Sequence, residues 1–269
     1  PRKPQVFLRQ YLSDTREMAL LWATACAKAW GVGVVHEARL SEIAHDRSLG
    51  SEVRLRAIEA IEGSGREAIA RRLYDLLDEE DDRVKGLVLR IYREVEEPSP
   101  GDYLPRFRRG PNDPHVYSAL QREADNYGTA LDEQGLREAL DLVARDFGAF
   151  GELRHHIVGG LLRRAIALGV HDIPADLVIS LGEPHQPHSV YWRDDLQELL
   201  RTQELFNAVW NRSMELLSED DGKNAEYRLR ELLAPHATEG VLNLVPTTNA
   251  GLSQSQQRFI AGMLSAFLY

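Results

Sequence analysis

The chain has 269 residues, of which 43% are hydrophobic and 28% are charged, a composition typical of a folded protein with an apolar core. Its formal net charge of −10 argues against general nucleic-acid binding, which relies on a dominant basic surface. No stretch approaches the ~20 apolar residues of a membrane-spanning helix. The single cysteine, Cys26, excludes an intrachain disulfide and a cysteine-based zinc cluster. We therefore expect a cytoplasmic protein without a membrane or cofactor partner.

Helical patterns dominate the first sixty residues. Asp14 is placed to cap a helix over about 15–30, which Gly31 would end. Shorter helices are predicted over about 34–45 and from Ser51 onwards. Apolar residues recur in the first helix about every 3.6 positions and predict one apolar stripe: Met18, Leu21, Trp22 and Cys26. In the next two helices the positions expected to face inward are Leu40, Ile43, Ala44, Val53, Ala57, Ala60 and Ile61.

Two segments in this part of the chain match each other. The first is LSEIAHDRSLGSEVRLRAIEAIEG at 40–63, and the second is LYDLLDEEDDRVKGLVLRIYREV at 73–95. Each segment contains an apolar helical run, an acidic turn and a second helical run. In the second segment this second helix is predicted over 82–96. One such pair cannot bury its apolar stripe alone, whereas stacked pairs can. The repeat therefore predicts an all-α fold, an α-solenoid of stacked antiparallel helix pairs.

Prolines and glycines crowd the stretch 98–113 and mark the clearest break in the chain. We predict helical repeats over 1–97, a Pro/Gly-rich loop or linker over 98–113, and further repeats or a helical subdomain over 114–269. The segment VLNLV at 241–245 is the one short candidate for a strand or extended segment. The helices predicted after the break cover about 114–126, 133–147, 151–168, 174–181, 191–201, 203–218, 224–234 and 253–268.

The paired segments resemble HEAT repeats over residues 33–96. The second helix of that family opens with an acidic turn, then Val-Arg, with a small residue three positions on. The matching residues are Glu52, Val53, Arg54 and Ala57 in the first segment and Asp82, Val84 and Lys85 in the second. Val88 stands in place of the small residue in the second segment. The resemblance implies a scaffold that offers surfaces to partners, and a generic helical bundle is the alternative.

A second resemblance concerns the texture of the whole chain. FLRQYLSDTREMALLWATACAKAW at 7–30 and the segment 136–169 are similar to the helical C-terminal regions of bacterial STAND and NACHT-type NTPases. The GxxxxGK[ST] loop of such NTPases does not occur in this sequence. The resemblance implies a sensor or docking region of a larger multidomain protein. The first residue, Pro1 instead of Met, leads us to expect an excised part of that protein.

The best local candidate for a metal site is the loop GEPHQPHSVYW at 182–192. Glu183, His185 and His188 carry side chains that zinc prefers, but no further ligand is obvious nearby and two prolines make the loop extended. A stiff connector or a partner-binding loop are the alternatives. The adjacent His155 and His156 point about 100° apart on a predicted helix and so are not expected to share a metal. The pair Gly159–Gly160 indicates close helix packing.

Three functions remain open from the sequence. The first is a non-catalytic interaction, sensor or scaffold region that binds a protein or a neighbouring domain of the same polypeptide. The second is a HEAT-like nucleic-acid-binding or base-processing protein, which predicts a basic concave face gathering Arg54, Lys85 and the arginines near Arg106. The third is a metal-dependent helical hydrolase using His185 and His188. The candidate partner-binding residues are Arg54, Lys85, Arg106, Arg108, Arg109, Tyr191 and Trp192.

Overall fold

A computed structural model describes residues 2–31, 33–62, 72–109, 118–182, 192–219 and 223–268. Over these ranges the regular elements are α-helices and short 3-10 turns, with no strand, so the predicted all-α fold is confirmed. No helix in the described ranges is both long and apolar enough to cross a bilayer. The contacts between residues divide the chain into two units. One comprises residues 1–108 and 113–124, and the other comprises 109–112 and 125–269.

The first unit is built around helix α4. The helices of this unit are α1 Arg2–Tyr11, α2 Glu17–Ala29, α3 Gly33–His45, α4 Ser51–Glu62, α5 Asp82–Glu96, α6 Pro100–Tyr103 and α7 Ser118–Tyr127, whose last turn belongs to the second unit. Helix α4 packs against α2, α3 and α5. The positions of α3 and α4 expected to face inward are all buried: Leu40, Ile43, Ala44, Val53, Ala57, Ala60 and Ile61.

Local capping explains why α5 has the predicted bounds. The Asp81 carboxylate accepts hydrogen bonds from the backbone N–H groups of Arg83 and Val84, which lack helical partners of their own. At the other end Glu97 adopts a left-handed conformation with φ of 46°, which stops the helix. The predicted helix over 82–96 is therefore confirmed.

Several expectations differ from the structure. Asp14 does not cap α2, which begins at Glu17 with Arg16 at the N-cap position. Helix α2 does not bury the predicted apolar stripe, because Met18 and Trp22 are exposed. The proline-rich stretch is helical over 100–107, where Ser99 caps α6 and the buried aromatic Phe107 adds to the core. The first four residues of VLNLV lie in the helix Gly240–Leu244, and no strand is present among the described residues.

The second unit has α9 at its centre. Its helices are α8 Glu133–Asp146, α9 Leu153–Leu168, α10 Ala175–Leu181, α11 Arg193–Leu200, α12 Gln203–Glu219, α13 Lys223–Leu233, α14 Gly240–Leu244 and α15 Gln254–Leu268. Helix α9 packs against α8, α11 and the 3-10 turn Gly128–Ala130. A Cβ atom added to Gly128 would lie 2.7 Å from the carbonyl carbon and oxygen of Gly160. The turn and α9 therefore meet at backbone distance at Gly160, one residue of the Gly159–Gly160 pair for which close packing was predicted.

Candidate partner-binding surface

Three helices of the first unit lie side by side and run in the same direction. At the start of α2 the Glu17 carboxylate accepts a hydrogen bond of 2.7 Å from the backbone N–H of Gly50, just before α4. Near the ends of these helices Lys28 Nζ lies 3.0 Å from Glu59 Oε2. Residues near the start of α5 likewise contact the start of α4, and residues further along α5 contact the end of α4. Helices α2 and α5 are therefore both parallel neighbours of α4.

Ion pairs cross from helix to helix on the outer side of this row. Arg83 Nη2 of α5 lies 2.7 Å from Glu52 Oε2 of α4. About two turns further along α5, Arg90 Nη2 lies 3.1 Å from both carboxylate oxygens of Glu62. We call this surface the ladder face and define it by Lys28, Glu52, Arg56, Glu59, Glu62, Arg83 and Arg90.

Cations and carboxylates are interspersed and paired on the ladder face. Arg56 links two of its carboxylates along α4, with Nε at 3.2 Å from Glu52 and Nη1 at 3.1 Å from Glu59. Glu52 therefore pairs with Arg56 and Arg83, and Glu59 pairs with Arg56 and Lys28. The side chains stay between 26% and 51% exposed. Because half-exposed pairs contribute only ~0–1 kcal/mol each to stability, the main consequence is a surface of mixed charge without a cationic groove.

A buried ion pair holds the ladder face from behind. Arg54 of α4 is 4% exposed; its Nε donates to the backbone carbonyl of Ala44, and its Nη2 lies 2.5 Å from Glu79 Oε2. Burial opposes ionisation of Glu79, but the hydrogen bond and the charge of Arg54 outweigh it and lower the pKa of Glu79 below its ordinary value. This pair joins α3, α4 and the turn before α5. Arg54 is thus a structural residue, and the prediction that it contacts a partner is wrong.

A second buried cluster fixes the far side of α5. Arg93 Nε lies 2.6 Å from Glu123 Oε1 of α7, and the Tyr103 hydroxyl lies 2.6 Å from the same oxygen. Burial first, and then the charge of Glu123, raises the pKa of Tyr103 well above its ordinary value. A Cβ atom on Gly86 would lie 2.7 Å from the backbone of Ala119, so α5 and α7 touch at backbone distance. The position of α5 in the row is therefore set by polar and close-packing contacts together.

Arg54 is buried, whereas the remaining predicted cations are half-buried or exposed. Arg106 is bound to Asp78, with Nη1 at 2.8 and 2.7 Å from its two carboxylate oxygens. That hydrogen bonding raises the pKa of Arg106. Arg108 is exposed, and the backbone N–H of Arg109 donates to the carbonyl of Ala149 in the second unit. Lys85 lies on α5 and is half-buried. The basic concave face predicted for a nucleic-acid-binding protein is therefore not assembled around Arg54.

The two adjacent histidines have different surroundings. His155 is 1% exposed and stacks on the Trp192 ring, with centroids 4.8 Å apart. His156 points to the other side, where Nδ1 lies 3.1 Å from Asp125 Oδ2 and Arg163 approaches the same carboxylate at 3.9 Å. Trp192 is itself 1% exposed and belongs to the core, so the prediction that it contacts a partner is wrong.

The candidate metal ligands Glu183, His185 and His188 lie outside the described residues, as does Tyr191. Among the described residues no group of three or more histidine, cysteine, aspartate or glutamate side chains is placed to hold a metal ion. The metal prediction stays a prediction.

The second unit also contains a cavity of about 230 Å³ between α10, α11 and α13. Its polar lining includes Arg193, Gln197, Glu231 and His236. Burial, and then the charge of Arg201, lowers the pKa of His236, which favours its neutral form. Within the described ranges, no serine, cysteine or threonine lines this cavity.

Sequence reasoning did not identify the ladder face. The spacing of Glu52, Arg56 and Glu59 along α4 was a usable signal, because residues three or four apart share one side of a helix. Ion pairs between helices depend on which helices become neighbours, and the spacing of residues along one helix does not predict that.

Comparisons with protein-family models, with curated proteins and with solved structures found no match to this chain.

Proposed function

We propose that this chain is a non-catalytic helical interaction module that binds another protein, or a neighbouring domain of the same polypeptide, through the ladder face. The observation that carries the proposal is the parallel row of α2, α4 and α5, which places half-exposed charges of both signs on one surface. HEAT-like helix pairing, and a sensor region of a bacterial STAND-type NTPase in the cytoplasm, remain the family and setting that we favour from the sequence.

The pattern of charge supports a protein partner over nucleic acid. Nucleic-acid surfaces carry cations that neutralise phosphates and are not already matched by carboxylates. On the ladder face Arg83 and Arg90 each lie within 3.1 Å of a glutamate oxygen. A phosphate approaching either arginine would have to displace that carboxylate, whereas a protein surface of mixed charge can exchange pairs with it. Complementary charge of this kind gives specificity and speeds association more than it adds affinity.

The positions of the ladder face residues are well defined by the buried contacts behind them. Arg54 and Glu79 hold α4 against the turn that begins α5, and Arg93 with Glu123 holds α5 against α7. A surface whose backbone is held in this way loses little conformational freedom when it binds a partner. The proposal thus needs no rearrangement of the first unit.

The test is a charge reversal with a matched control. Arg83→Glu combined with Arg90→Glu reverses two ladder cations whose side chains are each 39% exposed. The control combines Arg137→Glu with Arg212→Glu in the second unit, where the side chains are 40% and 38% exposed and also pair with carboxylates. We expect the ladder variant to capture at least tenfold less protein than the wild type from cells of the source organism, as quantified by crosslinking and mass spectrometry. The control should retain it.

Nucleic acid is tested in the same preparations. Nuclease treatment should leave capture unchanged, and a fluorescently labelled DNA or RNA duplex should show no saturable binding by anisotropy. Capture that disappears with nuclease, or that is equal for the ladder variant and wild type, would contradict the proposal. Circular dichroism of each variant checks that the helices are retained.

A further inference from the structure

The outward side of α2 is apolar along its length. Met18 is 73% exposed and Trp22 is 65% exposed, although both side chains are large and apolar. Ala25 and Ala29 are exposed on the same side, because steps of four and three residues return to one face of a helix. We call these four positions the α2 outer face. The core of the first unit uses the opposite side of the helix, where the buried residues are Leu20, Ala23, Thr24 and Ala27.

Helix α1 widens this apolar surface without covering it. The Phe7 ring lies with its centroid 6.3 Å from that of Trp22 and 5.9 Å from that of Trp30. Trp30 remains 45% exposed and Val6 68% exposed. Together the exposed apolar side chains amount to on the order of 600 Å², at the upper end for the largest patch on a monomer and close to the ~800 Å² that each partner buries in a stable interface.

Large and small side chains on the α2 outer face are placed so that a second, antiparallel copy of α2 would fit against them. The two bulky residues, Met18 and Trp22, occupy the first half of the helix, and the two alanines, Ala25 and Ala29, occupy the second half. The four positions are symmetric about the point between residues 23 and 24. If two copies of α2 lie antiparallel about that point, Trp22 of each faces Ala25 of the other, and Met18 faces Ala29. Large side chains opposite small ones are what close helix packing requires.

Charge at the edge of the face is also self-complementary. Glu17 begins α2 and Lys28 lies in its last turn, and both are exposed. In the antiparallel arrangement Lys28 of one copy comes within about 3 Å, measured along the helix axis, of Glu17 of the other, given the rise of 1.5 Å per residue. A two-fold axis repeats this contact, so each copy supplies both partners.

We propose that the α2 outer face binds a second copy of this chain, forming a two-fold dimer in which α2 packs antiparallel against its equivalent. The proposed dimer surface meets the ladder face at Lys28, which pairs with Glu59 within one copy, while its apolar residues lie outside the ladder face. Because the apolar area is near the lower limit for stable interfaces, the dimer forms in a concentration-dependent way over the micromolar range.

The first test changes size complementarity on the full chain. Sedimentation velocity of the wild type should show a shift from monomer to dimer as concentration rises. Ala25→Trp adds apolar surface but places a second bulky ring opposite Trp22, and should weaken dimerisation at least tenfold. Combining Ala25→Trp with Trp22→Ala exchanges large for small on both copies and should restore most of it. Non-specific hydrophobic association predicts the reverse, with Ala25→Trp the most associated variant.

The second test uses proximity to the two-fold axis. In a Cys26→Ser background, Ala25→Cys places the two introduced thiols about 4.5 Å apart along the helix axis, within reach of a disulfide or a short bismaleimide. The control is Ala208→Cys in the same background, at an exposed alanine of the second unit. Dimers crosslinked through position 25 and not through position 208 support the arrangement.

Three outcomes would overturn the proposal: a wild-type chain that remains monomeric throughout the micromolar range, Ala25→Trp that associates more strongly, or equal crosslinking at positions 25 and 208. Circular dichroism and thermal melting of each variant confirm folding before association is measured. None of these substitutions alters a ladder-face residue, and the ladder substitutions Arg83→Glu and Arg90→Glu lie outside α2, so dimerisation and partner capture are measured with separate variants.

Discussion

Replacing Glu79 by methionine should destabilise the first unit more than the loss of a surface charge would. The carboxylate is the counter-ion of Arg54, whose side chain is 5% exposed and lies 2.5 Å away. Removing one member of a buried pair leaves the other charge in a low dielectric and costs ~3–5 kcal/mol. Arg54→Met should cost less, ~2–3 kcal/mol, because Glu79 keeps the backbone N–H of Glu80 and the guanidinium of Arg47 at 3.5 Å.

A double-mutant cycle measures the coupling. Urea unfolding followed by circular dichroism at neutral pH should show that the variant carrying both Arg54→Met and Glu79→Met is more stable than Glu79→Met alone, with a coupling of about 2 kcal/mol or more. The same cycle with alanine at the half-exposed pair Arg90 and Glu62 is the control and should give less than ~1 kcal/mol.

Acid dependence gives a separate check on the same pair. The pKa of Glu79 is lowered in the folded protein, so its contribution to stability is complete above the ordinary value of 4.5 and is lost as pH falls below it. The difference in unfolding free energy between wild type and Glu79→Gln should therefore shrink as the pH falls below 4.5. Additive single effects in the cycle, or a difference that grows on acidification, would refute the assignment of a buried ion pair.

Three further predictions concern packing, capping and the surface. Gly128→Ala places a methyl group 2.7 Å from Gly160 and should lower the melting temperature, at a cost of ~1–3 kcal/mol, whereas Gly148→Ala, with open space around it, should not. Asp81→Ala removes the cap of α5 and should cost about 1 kcal/mol in urea unfolding, and an unchanged midpoint would contradict that role. Arg90→Ala should change stability by less than ~1 kcal/mol at any salt concentration, and a larger loss would mean that the ladder face is structural.

Predictions about which residues bind a partner depended on the tertiary surroundings of each side chain, and they were less successful than the predictions about helices. Arg54 and Trp192 look like surface residues because charged side chains and loop aromatics are often exposed. In the structure one neutralises a buried carboxylate and the other stacks on His155. The sequence contains no local signal for either contact, since the partners lie 25 and 37 residues away. A buried arginine is stable only because a distant glutamate is placed beside it.

Helix formation and capping depend on residues within one or two turns, and for this reason the local sequence was enough to predict an all-α chain and to place α5 at 82–96, where it is found. Which side of a helix is covered depends instead on its neighbours in the folded chain. Both sides of α2 are apolar, so periodicity alone could not choose between the side of Leu20 and the side of Trp22. That choice follows from the contacts of α2 with α4, which leave Trp22 facing solvent.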